Sequence, residues 1–150
     1  MTFFKGMGTC SMDEKGRINI PARMRKSLNP SANDCFVVTR GVDKCIEAYP
    51  MDVWVIKEEN FNKLNQYNPQ NRNFLRKVLM WSEEVSLDPQ QRIAIPKKLQ
   101  LFAGIHSKVT VVGMGDHLEL WDTDLFENKI DEDDEPYEVI AEKVMTAQLL

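Results

Sequence analysis

The chain has 150 residues, 43% of them apolar, and a formal net charge of −4. That length suits one compact domain or two very small halves sharing a core, and the apolar fraction excludes wholesale disorder. The acidic balance excludes a uniformly basic nucleic-acid binder but leaves room for a local basic patch.

The opening MTFFKGMGTC has no long apolar segment, so no signal peptide is expected. No apolar run approaches the ~18 residues of a membrane helix. Cys10, Cys35 and Cys45 are odd in number and show no CxxC spacing, which fits free thiols in a reducing compartment. From Arg17 to Ile20, polar and apolar residues alternate, the pattern of a half-buried strand with Ile18 and Ile20 on the inner face. Pro21 ends it and suits the first turn of a short helix through Met24 and Leu28. Cys35–Thr39 and Cys45–Tyr49 read as two further strands around a turn with Gly41 and Asp43. Asp52 is expected to cap a helix from Val53 to about Gln66. After the breaker Tyr67-Asn68-Pro69, the residues Phe74, Leu75, Val78 and Leu79 mark an amphipathic helix. Strands are expected again at Ile93–Ile95, Val109–Val112 and Leu118–Trp121. Asp122 or Asp124 caps a shorter helix through Leu125, Phe126 and Ile130, and Pro136 opens a last one with Val139, Ile140, Val144 and Leu149. These apolar stripes read as core or subunit interface.

The chain repeats itself. SMDEKGRINIP, from Ser11, returns as SLDPQQRIAIP, from Ser86, after about 75 residues. Asp13 falls on Asp88, Arg17 on Arg92, Ile18 on Ile93 and Pro21 on Pro96. Gly41-Val-Asp-Lys-Cys-Ile-Glu-Ala-Tyr49 likewise matches Gly113-Met-Gly-Asp-His-Leu-Glu-Leu-Trp121. A three-strand unit of this size cannot bury enough apolar surface alone, whereas two packed together can. A pseudo-two-fold body would put Arg17 and Arg92 in equivalent places, an arrangement suited to duplex DNA. Arginine's planar fork fits guanine or phosphate, and Gly16 lets the backbone approach a ligand. Arg23, Arg25 and Lys26 add basic charge next to the motif. The plain alternative is that Asp13–Arg17 and Asp88–Arg92 are ion pairs at hairpin ends.

Asp13-Glu-Lys-Gly-Arg-Ile-Asn-Ile-Pro-Ala-Arg-Met-Arg, with its second copy from Asp88, resembles the signature of the MraZ family. The Thr39–Pro50 and Leu118–Trp121 blocks resemble it too, and the likeness covers about residues 3–130. Each half is similar to an AbrB-type swapped-hairpin unit. The resemblance implies an α+β fold in which tandem AbrB-like swapped-hairpin units form one pseudo-two-fold, β-barrel-like core flanked by helices. The expected divisions are a first unit at 3–51, a helical connector at 52–81, a second unit at 82–125, and an acidic loop with a C-terminal helix at 126–150.

The family's members are transcription regulators at the head of the division and cell-wall gene cluster. They repress it by binding short direct repeats in double-stranded promoter DNA as ring-shaped homo-oligomers. Carried over by position, Asp13, Lys15, Gly16, Arg17, Arg25, Asp88, Gln91 and Arg92 are the implied DNA-binding residues, with no cofactor and no membrane partner. A cytoplasmic, nucleoid-associated protein follows. Gln91 departs from the family pattern, which has glycine before the second arginine, so the first half is expected to bind more strongly. The acidic run Asp131–Glu135 is expected to face away from DNA.

Two other classes stand beside this one. An enzyme is disfavoured because His106 and His117, the only histidines, sit in no nucleophile or metal motif. An antitoxin-like protein or interaction scaffold would use the same fold with a protein partner.

Overall fold

The computed structural model describes residues 2–132 and 135–149. Each half supplies four strands: β1 (Met7–Ser11), β2 (Arg17–Asn19), β3 (Cys35–Arg40) and β4 (Ile46–Pro50), then β5 (Glu83–Ser86), β6 (Arg92–Ala94), β7 (Lys108–Gly113) and β8 (Leu118–Asp122). Six of them form one antiparallel sheet in the order β1-β7-β8-β4-β3-β5, while β2 and β6 pair separately. Exchanging the halves turns that order into itself, which is the expected pseudo-two-fold relation. β1 pairs only with β7, and β5 only with β3, so each half lends its first strand to the other. β4–β8 and β2–β6 join the halves at the centre.

Two expectations are corrected. The units have four strands each; β1 and β5 carry no local hairpin signal because their partners lie in the other half. The sheet is open, with β1 and β5 at its edges, so the core is not a closed barrel.

The core lies between the sheet and the β2–β6 pair. Ile18 and Ile93 stand directly opposite in β2–β6 and are fully buried. They pack in one cluster with Phe36, Val38, Ile46, Ala48, Val109, Val111, Leu118 and Leu120. Pro21 and Pro96 open the short helices α1 (Ala22–Lys26) and α4 (Lys97–Ala103), which bury Met24 and Leu99. Their fixed φ suits a helix start, where the missing N–H has no partner to lose. α1 ends before Leu28.

Helix α2 (Met51–Asn62) starts two residues earlier than Asp52 as a cap would require, and it stops short of Gln66. Pro50 occupies the cap position. Asp52 sits in the first turn, where a carboxylate favours the helix dipole. α3 (Pro69–Leu79) is capped by Asn68, whose Oδ1 accepts from the amides of Gln70 and Asn71. α5 (Thr123–Glu132) is capped by Asp122, which accepts from the Leu125 amide. α6 (Tyr137–Leu149) closes the chain with Val139, Val144 and Met145 exposed. Of the acidic run, Asp133 and Asp134 lie outside the described residues. α2 packs Trp54 on Tyr49 of β4, with ring centres 5.6 Å apart, so the sheet's second face is also partly covered.

Ile18→Ala and Ile93→Ala should each cost about 2–5 kcal/mol. Because the two side chains face each other across β2–β6, the double variant should lose less than the sum. Urea denaturation of the four proteins measures this; strict additivity would show that the two residues do not share a contact.

A duplicated aspartate–arginine turn as candidate nucleic-acid interface

In each half the chain turns tightly just before the short central strand. The Asp13 amide donates to the Arg17 carbonyl (3.0 Å) and the Gly16 amide to the Asp13 carbonyl (3.0 Å). The second half repeats this with Asp88, Gln91 and Arg92, at 2.9 Å in both bonds. The aspartate side chain organises the loop. Asp13 Oδ1 accepts from the amides of Lys15 and Arg17, both at 2.9 Å. Asp88 Oδ1 accepts from those of Gln90 (2.9 Å) and Arg92 (3.0 Å). Aspartate at such a position bonds its own turn and substitutes for backbone partners.

The other carboxylate oxygen takes the arginine. Arg17 Nε donates to Asp13 Oδ2 at 2.7 Å, and Arg92 Nε to Asp88 Oδ2 at 2.9 Å. The ion-pair alternative raised by the sequence is therefore real. It does not consume the arginines, because Nε is the inner donor. Among the described residues, the outer nitrogens of Arg17 have no partner, and those of Arg92 have only Asp13, at 3.6 Å. Asp13 thus touches both arginines and couples the halves. Side-chain exposure of 31% for Arg17 and 22% for Arg92 leaves both within reach of a ligand.

The strand register puts Arg17, Asn19, Arg92 and Ala94 on one face, opposite the buried Ile18 and Ile93. Asn19 Nδ2 donates to the Gln90 carbonyl at 2.9 Å and ties this face to the second turn. Lys15, Gln90 and Gln91 are exposed beside it. The turns also cross-brace: the Ile95 amide donates to the Gly16 carbonyl (2.8 Å) and the Ile20 amide to the Gln91 carbonyl (3.4 Å).

Six of the eight residues singled out by sequence meet here in two copies: Asp13, Gly16 and Arg17 with Asp88, Gln91 and Arg92. Lys15 is at the rim. Arg25 stands apart, half-buried, with its Nε donating to the Ile20 carbonyl at 2.8 Å. Its counterpart Gln100 does the same to Ile95, also at 2.8 Å. Arg25 therefore has a structural bond of its own to make. Arg23 donates to the Met7 carbonyl at 2.7 Å. Asn19, which its alternation with Ile18 and Ile20 puts on the polar side of the strand, was not singled out as a site residue, yet it belongs to the face.

The turns differ at one position. Gly16 has φ +77°, and a Cβ there would lie 2.3 Å from Gln100 Nε2. Gln91 holds the equivalent left-handed conformation, φ 63°, with a side chain that disfavours it.

An open α+β sheet built from two interlocked repeats, presenting a duplicated Asp–Arg turn, defines a duplicated module in which both halves complete one surface. Comparisons with known proteins give the particular family. The family described as "MraZ protein, putative antitoxin-like" matches residues 3–77 and again 78–147. The chain is 33% identical over 141 residues to a protein of Christiangramia forsetii named transcriptional regulator MraZ, covering 93% of this chain and 91% of that one. Proteins of the same name from Flavobacterium psychrophilum (34%, covering 97% and 93%) and Natranaerobius thermophilus (35%, covering 95% and 96%) are similar throughout. The chain belongs to the MraZ family.

Gln91→Gly should raise stability by roughly 0.5–1 kcal/mol, the left-handed strain less glycine's added chain entropy. Gly16→Ala should lower it by about 2 kcal/mol or more, through strain and the clash with Gln100. Denaturant midpoints of both variants check the pair; equal effects would mean the turns are not strained differently.

The Asp13 carboxyl is held below its usual range, first by the Arg17 amide and then by the Arg17 and Lys15 bonds. Partial burial pushes the Asp88 carboxyl upward, but the amides and guanidinium of Arg92 and Gln90 outweigh it and leave it lowered. A lowered folded-state value gives stability that is present above the unfolded value of about 3.9 and is lost as pH falls through the folded one. The double variant Asp13→Asn, Asp88→Asn should therefore flatten the acid limb of a thermal-midpoint profile below about pH 4. An unchanged acid limb would show that these carboxylates do not couple to folding.

Proposed function

We propose that the chain is a sequence-specific, DNA-binding transcriptional regulator whose reading surface is the exposed face of β2–β6. One observation carries this: Arg17 and Arg92, from different halves, share a face and are each fixed at Nε by their own aspartate, which does not use up their outer nitrogens. Fixing the inner donor restricts the side chain before binding, which lowers the ordering cost of a bidentate contact. Asp13, Gly16, Arg17 and Lys15 with Asp88, Gln91 and Arg92 form the contact set. Arg25 supports it from beneath.

The names of the relatives support a regulator. Repression of the division and cell-wall cluster, its own promoter included, is the form we propose, in the cytoplasm at the nucleoid and without a cofactor or catalysis. The acidic balance of the chain implies modest affinity per protomer. A ring of protomers on short direct repeats would raise it through effective concentration. The swapped-hairpin likeness of each half to AbrB-type units is part of this proposal, supported by the strands the halves lend to each other. A second reading, a protein-partner role of antitoxin type, is favoured by the exposed Val139, Val144 and Met145 of α6.

Fluorescence anisotropy across a salt series, with DNA from upstream of the protein's own gene, tests this. Wild type should bind, with log affinity falling by ~0.9 per phosphate contacted for each unit of log salt. Arg17→Ala should remain folded and lose most affinity, Arg92→Ala somewhat less. Equal binding by wild type and Arg17→Ala, or none by either, would overturn the DNA reading and favour the protein-partner one.

A further inference from the structure

On the other face of the central strands, a second duplicated feature has no place in the DNA reading. Glu47 of β4 and Glu119 of β8 stand directly opposite each other. They are counterparts in the repeat, so this pair sits at the pseudo-two-fold relation itself. Like charges directly opposite in a sheet are destabilising, and neither glutamate has an ion-pair partner among the described residues. His117, the residue just before β8, lies beside them, and one ligand atom from each of Glu47, His117 and Glu119 falls within 4.8 Å of the others.

Each of the three is oriented by a second group. The Tyr49 hydroxyl donates to Glu47 Oε1 at 2.8 Å, and Trp121 Nε1 to Glu119 Oε1 at 2.9 Å. A carboxylate has about four acceptor positions, so each glutamate can still take a further ligand. His117 Nδ1 pairs with Asp116 Oδ1 at 2.7 Å, leaving Nε2, and its ring stacks on Tyr49 at 4.7 Å. Outer hydrogen bonds of this kind fix ligand orientation at metal centres.

We propose that Glu47, Glu119 and His117 bind one divalent transition-metal ion of the Zn2+ type. Two carboxylates and an imidazole suit such an ion, with water completing the set. Ligand atoms about 2 Å from zinc lie at most ~4 Å apart, so closure asks about an ångström of side-chain movement. Cys45, the counterpart of His117, is not a ligand. It is buried and lies outside this cluster of ligand atoms. The site is therefore a single ion on a symmetric carboxylate pair, with one imidazole breaking the symmetry. Glu47 and Tyr49 also line a cavity of about 670 Å3 beneath α2 and α3, which provides an entry path.

The ion would clamp β4 to β8, the central seam between the halves. The inference is independent of DNA binding, because the core, with Ile46, Ala48, Leu118 and Leu120 in it, stands between this face and β2–β6.

Calorimetric titration of chelator-treated protein with Zn2+, paired with thermal melts, tests it. The wild type should take up one Zn2+ per chain, and its melting midpoint should rise on loading. Glu119→Gln, which keeps an acceptor for Trp121, and Glu47→Gln should each lose at least tenfold in affinity. Without metal both should melt no lower than wild type, since the charge repulsion is relieved. Glu83→Gln, on an edge strand, should behave as wild type. No saturable uptake by wild type would overturn the proposal. So would unchanged uptake by both glutamine variants, or metal-free variants that melt lower while binding Zn2+ as before.

Discussion

The backbone hydrogen bonds of the two halves can be completed only together. β1 has a partner in β7 and β5 in β3, while the central pairs β4–β8 and β2–β6 each need one strand from either side. Unpaired strand edges are costly when buried and adhesive when exposed. Neither repeat is therefore a domain in the thermodynamic sense. The duplication that makes this geometry also sets Arg17 and Arg92 on one face, because β2 and β6 have no other neighbour. The candidate DNA surface is a by-product of the only pairing that satisfies the two shortest strands.

Symmetry at that surface is incomplete. The aspartate, its two amide bonds and the arginine Nε bond are the same in both turns to within 0.2 Å. The left-handed residue is not: it is Gly16 in the first turn, set against Gln100, and Gln91 in the second. The difference extends to the shared contact, since Asp13 forms ion pairs with both arginines, while among the described residues Asp88 forms one only with its own. The first half supplies both the relaxed turn and the carboxylate that links the two arginines.

Much of this was legible in the sequence, where a local rule applied. Alternation located β2 and β6 and the inward isoleucines. The repeat gave the pairing of Asp13 with Asp88 and Arg17 with Arg92. Asp122 was readable as a cap. What was not legible depended on distant partners. Met7–Ser11 and Glu83–Ser86 are short, and their partners lie in the other half. Asp52 looked like a cap because aspartate favours that place, yet Pro50 sits one residue before the helix and takes it. His117 was dismissed for lack of a local motif; Glu47 comes to it from a strand about 70 residues away.

The loan of β1 to β7 also sets a schedule for the newborn chain. At ribosomal speeds of ~5–20 residues per second, Met7–Ser11 emerges roughly 5–20 s before Lys108–Gly113 exists to receive it. In that interval β3, already made, also lacks β5 as its outer neighbour. The nascent first half is thus an unfinished sheet with two vacancies, and the nearest material able to fill them on a crowded polysome is the same half of a neighbouring chain. Expression rate and protein concentration, rather than final stability, then decide how often two copies interlock with each other instead of each with itself.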